Sequence, residues 1–144
     1  MQDPIEHPEL AALKEKWQEK RAGRRLPARS DFDTLEFAPW MGHLSVLDVI
    51  EGGRDFFFRL HGTNIANLYG YEMTGKTVSD SPSEIRTTIS KEYREAVDRC
   101  EPILIARNHV LPTKDYTQII KLILPLSSDG EAVDQLLSCA YPAR

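Results

Sequence analysis

The sequence predicts an α+β domain: a five-stranded antiparallel sheet with helices across one face and an amphipathic helix ahead of it. The first observation behind this is the order of periodicities. Two runs that alternate every second residue, Leu44–Ile50 and Phe56–His61, come before a helical crossover ending near Cys100, and three further strand-like runs close the chain. The second is size. At 144 residues the chain is one ordinary domain, long enough to bury ~68–70% of its unfolded surface. The third is composition, 41% apolar and 28% charged, as in soluble globular proteins. No run approaches the ~18 consecutive apolar residues of a membrane span. The N-terminal Met-Gln-Asp-Pro-Ile-Glu-His-Pro is polar and acidic, unlike a secretory signal, so the expected location is the cytoplasm. Cys100 and Cys139 are too few and too separated for a disulfide framework or a zinc site. The net charge of −4 gives no overall electrostatic reason to expect nucleic acid.

In chain order, Pro8 opens a helix where a missing N–H costs nothing, and Gly23 can close it. Leu10, Leu13 and Trp17 form its single narrow apolar stripe, which must dock on something, because short isolated helices are marginal in water. Lys14, Lys16, Lys20, Arg21, Arg24, Arg25 and Arg29 make a basic run. A partner surface or a solvated face laced with Glu9, Glu15 and Glu19 would both account for it, and the second is favoured. Residues 27–33 read as a loop and Thr34–Trp40 as a short helix ended by Gly42, with Phe37, Trp40 and Met41 packing on the first strand. Leu44–Ile50 is that strand, and Glu51-Gly52-Gly53-Arg54 is a compact turn. Asp48 needs a partner if buried, and Arg59 on the next strand is the candidate.

Phe56 to Asp80 organises the rest. Phe56, Phe58 and Leu60 alternate with Phe57, Arg59 and His61; Gly62 breaks the pattern, and Thr63 is a plausible N-cap for a short helix carrying Ile65, Ala66, Leu68 and Tyr69. Gly70 caps it and Gly75 marks a second turn. Ser81-Pro82-Ser83-Glu84 combines a capping box with proline at the first helical position of a long helix. Ile85, Ile89, Tyr93, Ala96, Val97 and Cys100 share one face of that helix, and Pro102 stops it. The closing strands are Ile103–Leu111, Tyr116–Leu126 and Ala132–Tyr141, with turns at Pro112-Thr113-Lys114-Asp115 and Asp129-Gly130.

Asn64 through Lys76, NIANLYGYEMTGK, resembles the PAS-domain signature: an Asn, a short helix, aromatic-Gly-aromatic, an acidic residue, then Gly-Lys. Together with Arg59-Leu60-x-Gly62-Thr63 and the distal Leu124-Pro125-Leu126-Ser127, it resembles a family of small stand-alone PAS-like proteins. The likeness runs from about Pro27 to the closing strand. It divides the chain into an N-terminal helix and linker, 1–26, and a PAS-like domain, 27–144. It implies a signalling context and brings no catalytic motif.

Enzyme fingerprints are missing: no Gly-x-Ser-x-Gly elbow, P-loop, His-Glu-x-x-His or dinucleotide glycine pattern occurs. His7, His43, His61 and His109 are scattered; His61 and His109 could meet on neighbouring strands around a metal, but half-exposed strand histidines are the favoured reading. Against cofactors found in PAS relatives, the long helix offers no His for haem, and the flavin Asn-Cys-Arg-Phe motif is absent, so no prosthetic group is expected. What remains is a pocket between sheet and helices, expected to be lined by Phe58, Leu60, Tyr69, Tyr93, Ile105, Arg107, Ile120 and Leu122. Arg107 could clamp a carboxylate or phosphate, face solvent, or pair with a strand carboxylate.

The expected function is a cytoplasmic, non-enzymatic, stand-alone PAS-like sensory or adaptor domain. It would act through protein contacts with a signalling partner and through a small metabolite. Because the chain ends at Arg144, output would pass through a partner or through a homodimer with Leu10, Leu13 and Trp17 at the interface. A small α+β cone-fold enzyme, isomerase- or hydratase-like, is the alternative, with Asp48, Tyr69 and His109 as its acid–base material.

Overall fold

Alternating side chains on Leu44–Ile50 and Asp55–His61 give two faces that need opposite coverings, and the fold supplies both. The computed structural model describes residues 7–111, 113 and 115–143. The expected turn at 112–115 falls partly on Pro112 and Lys114, outside the described residues, but Leu111 N–H donates to the Asp115 carbonyl at 2.7 Å. The strands are β1 (Leu44–Ile50), β2 (Asp55–His61), β3 (Ile103–Val110), β4 (Tyr116–Leu126) and β5 (Gln135–Pro142), in the order β2-β1-β5-β4-β3, with every neighbouring pair antiparallel. The helices are α1 (Pro8–Arg21), α2 (Thr63–Tyr69) and α3 (Ser83–Arg99).

α2 and α3 cross one face, here the inner one. Ile65, Tyr69, Ile119 and Ala140 pack together beneath α2. α3 sends Ile85, Ile89, Glu92, Tyr93 and Ala96 inward, the positions i, i+4, i+7, i+8 and i+11 of one helical stripe. α1 lies on the outer face against β4, where Leu10, Leu13 and Trp17 are buried within their own chain. The Trp17 indole N–H donates to the Pro125 carbonyl at 2.8 Å, and the Trp40 indole N–H to the Glu9 carbonyl at 2.7 Å. At the N-terminal end of α1, His7, Tyr141 and His43 stack in series, with ring centroids 4.5 and 4.0 Å apart.

Several local expectations are corrected. Thr63 is the first residue of α2, and Gly62 holds the N-cap position. The capping box before α3 does not form: the Ser81 hydroxyl donates to the Val78 carbonyl at 2.5 Å, closing a preceding 3₁₀ turn, and Pro82 is the N-cap. Thr34–Trp40 is a 3₁₀ helix with Asp33 as its cap, because Pro39 cannot donate to an α-helical ladder; Phe37 and Trp40 are buried, but Met41 is exposed. Gly62 is required by close approach: its φ is −61°, and a Cβ there would sit 2.8 Å from the Leu44 carbonyl oxygen and closer still to that of Gly42. Gly75 is required by backbone conformation, with φ +82° and open space around it.

Candidate functional site

A β-bulge decides which residues reach the inner face. The β1–β2 register pairs Val46 with Leu60 but Leu47 with Phe58, so two residues of β2 oppose one step of β1. The extra residue flips the alternation. Phe56, Phe58 and His61 point inward, while Leu60 turns to the outer face, where it is 43% exposed. On β4 the pairings Arg107↔Ile119 and Ile105↔Lys121 put Ile119 and Lys121 on the face of Arg107. Ile120 and Leu122 therefore lie on the outer face with α1. Of the eight expected pocket liners, Phe58, Tyr69, Tyr93, Ile105 and Arg107 share the inner face, and Leu60, Ile120 and Leu122 do not.

At the centre of the inner face is a buried ionic cluster. Glu92 of α3 accepts from the Arg107 guanidinium through both oxygens, Nη2 to Oε1 at 3.1 Å and Nε to Oε2. The fully buried Lys121 ammonium donates to Glu92 Oε1 at 2.9 Å and sits 4.3 Å from the centroid of the Tyr93 ring. One carboxylate against two cations leaves the cluster positive. Burial pushes Glu92 up, but Lys121 and Arg107 outweigh it and hold the carboxyl down at about 2. For Lys121, burial favours the neutral amine, and the Glu92 charge reverses that and pushes its pKa up. Neither residue was among the expected liners. The available signals were a lone lysine in the buried run Ile119–Leu126, and the fit of Glu92 to the i+7 position of the α3 stripe.

Arg107 also fixes the tautomer of its neighbour. Its Nη1 lies 2.9 Å from His109 Nδ1, and since a guanidinium can only donate, Nδ1 accepts and Nε2 carries the proton. Burial first, and then the Arg107 charge, hold His109 neutral, its pKa pushed down to about 3. Its ring stacks on Tyr69 of α2 at 3.9 Å, with Tyr71 6.3 Å away. His109 Nε2 and the Tyr71 hydroxyl are both buried and meet no hydrogen-bond partner among the described residues. His61, at the other edge of the sheet, faces the same tyrosines, 6.1 Å from Tyr69 and 6.4 Å from Tyr71, and its Nδ1 accepts from the Met73 N–H at 3.2 Å. Burial lowers its pKa to about 4. Both strand histidines are thus buried, where half-exposure was expected; the inward faces of β2 and β3 close over them beneath α2.

The expected Asp48–Arg59 pair forms on the other side of the sheet: Arg59 Nε donates to Asp48 Oδ2 at 2.9 Å, and the Gln135 amide to Oδ1 at 2.8 Å. Asp48 therefore does not meet Tyr69 and His109, which stack on each other. Within the basic run Lys16 and Lys20 reach Glu36 and Arg24 reaches Asp31, and among the described residues none of the run pairs with Glu9, Glu15 or Glu19. Among the described residues no group of three His, Cys, Asp or Glu could hold a metal, and no helix is long and apolar enough to cross a membrane.

Among solved structures the chain is similar to the Vibrio cholerae VqmA dimer studied in the absence of target DNA, with a TM-score of 0.58 at 13% identity. That match covers 78% of this chain and 52% of the VqmA chain, so this chain spans about half its length. A light-oxygen-voltage domain examined with a flavin analogue matches with a TM-score of 0.56 at 13% identity, covering 76% of this chain and 83% of that one. A Rhodobacter sphaeroides LOV protein matches at 0.53 and 11% identity, over 77% and 68%. At such identities the likeness establishes the fold. No curated protein matches the chain. The family model described as a PAS domain matches residues 5–140, nearly the full length, and the chain belongs to the PAS domain family.

Proposed function

We propose that this PAS domain is a cytoplasmic, stand-alone sensory or adaptor module whose inner face binds a small molecule presenting a strong hydrogen-bond acceptor, such as a carboxylate. The observation that carries the reading is the pair of buried, unpartnered polar atoms, His109 Nε2–H and the Tyr71 hydroxyl, beside a cluster with one carboxylate and two cations. A buried donor without an acceptor costs ~1–3 kcal/mol, so the arrangement favours an acceptor atom between the two rings. Such an atom would join β3 to the segment following α2, beside the Tyr69–His109 stack that already links β3 to α2 itself. Glu92, Arg107 and Lys121 provide the positive surroundings, and the Tyr69, Tyr71 and Phe58 rings the walls. One VqmA structure was solved bound to DPO, which supports looking for a ligand on this fold.

The output in this reading is a protein contact on the outer face, made first with a second copy. β3, the strand of Arg107 and His109, also carries Leu104 and Val110, which share the outer side by register with Tyr116 of β4; the three are 40%, 36% and 64% exposed. The stripe Leu10, Leu13 and Trp17 is used on the chain's own sheet, so the homodimer contact belongs beside α1, on this exposed strip. Mass spectrometry of small molecules released when freshly purified protein is denatured tests the ligand. One acceptor-bearing compound is expected from the parent, and less of it from His109→Phe. Equal release from both, or none from the parent, would reject the site. Sedimentation of the parent and Tyr116→Asp tests the contact: a monomeric parent, or an unaffected variant, rules it out.

A further inference from the structure

Away from the inner face, the outward side of α3 closes a groove of about 260 Å³ with the turn before β2 and the 3₁₀ turn Val78–Asp80. Arg54, Arg86, Lys91 and Arg94 line it, with Asp55 the sole carboxylate, so the lining carries +3 in a chain whose net charge is −4. Asp55 does not neutralise them. Its Oδ1 accepts from the N–H groups of Phe56 and Ser79 and its Oδ2 from the Ser79 hydroxyl, while no Asp55 ion pair forms among the described residues. Two of the guanidinium groups are held by main-chain carbonyls. Arg86 donates through Nε and Nη2 to Ser81 O, at 3.2 and 2.8 Å, and Arg94 donates through Nε to Gly53 O at 3.2 Å. These bonds fix the forks while leaving further N–H donors on each. Thr87 and Ser90 add hydroxyls one helical turn apart along the same wall.

We infer that this groove is a second ligand site, one that takes the phosphate or phosphomonoester group of a compact small molecule. The charge calls for a dianion, and pre-positioned arginine forks match phosphoryl oxygens better than a mobile ammonium does. The volume lies below the ~300–1,000 Å³ of drug-sized pockets, which selects a phosphate-sized head with a short appendage. The arginine that could escape, Arg54, is held among the described residues by Glu51 alone, in an ion pair exposed on both sides. Such a pair is weak enough to exchange for a phosphate. The inference stands apart from the ligand proposed for the inner face.

The test is an NMR titration of the full chain with inorganic phosphate, glycerol phosphate and neutral glycerol, at matched ionic strength in chloride. Saturable shifts of the Ser79, Thr87 and Ser90 amides with the two phosphates, and none with glycerol, are expected. Tighter binding of glycerol phosphate than of inorganic phosphate marks a phosphorylated metabolite as the ligand; equal binding marks the free anion. Lys91→Glu and Arg54→Glu, both on exposed side chains, should each weaken binding roughly tenfold by reversing a charge at the rim. Their melting curves check that each still folds. Linear, unsaturated shifts, shifts of equal size at Lys14 and Arg25 on the α1 side, or binding unchanged in both variants would overturn the site.

Discussion

The two faces of one sheet are built by opposite chemistry. On the outer face, α1 packs Leu10, Leu13 and Trp17 against β4, whose Ile120 and Leu122 share that face. The Trp17 N–H has a partner, and His7 Nδ1 at the start of the helix is buried without a hydrogen-bond partner among the described residues. On the inner face, α3 covers the same strands with a carboxylate between two cations, and α2 leaves two polar atoms unpartnered. The outer face maximises area removed from water. The inner face gives up some of that gain: replacing a buried ion pair by apolar side chains of like volume is often neutral or stabilising. What it retains is directional chemistry in a dry setting, where an added acceptor would be felt most strongly. The contrast separates a face covered mainly by apolar area from one that keeps charged and unpartnered polar groups.

The largest effect should come from breaking the inner cluster unevenly. Glu92→Ala leaves Arg107 and Lys121 buried without their carboxylate and should cost ~3–5 kcal/mol in urea denaturation. The triple change Glu92→Leu, Arg107→Met, Lys121→Met should fall near the parent. If the single change costs no more than the triple, the cluster is not the desolvated unit described. Close behind is Trp17→Ala on the outer face, ~3–5 kcal/mol from a deleted large aromatic and an orphaned carbonyl. A far smaller loss would mean α1 is only loosely docked.

The glycines separate steric need from conformational need. Gly62→Ala forces a Cβ into the Gly42 and Leu44 carbonyl oxygens where β1 and α2 meet, and should cost ~2–4 kcal/mol, in the range of overpacking and backbone strain. Gly75→Ala meets nothing but keeps φ +82°, and should cost only ~1–2 kcal/mol. Thermal melts reversing that order would show that the close approach at Gly62 relaxes easily.

The gentlest test is pH. His61 and His109 titrate at about 4 and 3 when folded, against an ordinary 6.5, so the unfolded chain takes up protons first. Their neutral burial contributes stability that is complete above about 6.5 and declines as pH falls toward 4 and then 3. Glu92, depressed from an ordinary 4.5 to about 2, adds a further loss below about 4.5. Stability should therefore be flat from pH 8 to 7 and fall from 6.5 downward, and His109→Phe should flatten the slope between pH 6.5 and 4. A parent profile flat to pH 4.5 would mean that both rings are protonated without difficulty in the folded state.

Much of this molecule was readable along the chain. All five strands, the three α-helices, the role of Gly70 as a cap and the Asp48–Arg59 pair follow from periodicity, turn residues and adjacent-strand reasoning, because each depends on neighbours in sequence. The PAS signature in Asn64–Lys76 agrees with the family match. Even the outer stripe was legible, since Leu10, Leu13 and Trp17 can bury only together.

What tertiary structure alone decided was which side each strand residue faces and what waits for it there. One added residue opposite the Val46–Leu47 step sends Leu60 outward and His61 inward, and no local pattern announces a bulge. The β3–β4 register then sets Lys121, not Ile120 or Leu122, beside Ile105. Glu92 and Lys121 are 29 residues apart, and only the packing of α3 over β4 brings their charges to 2.9 Å. Periodicity reports which residues share a face of one element. The partner across the interface, and with it the chemistry of the inner site, depends on contacts between elements that have no period in the chain.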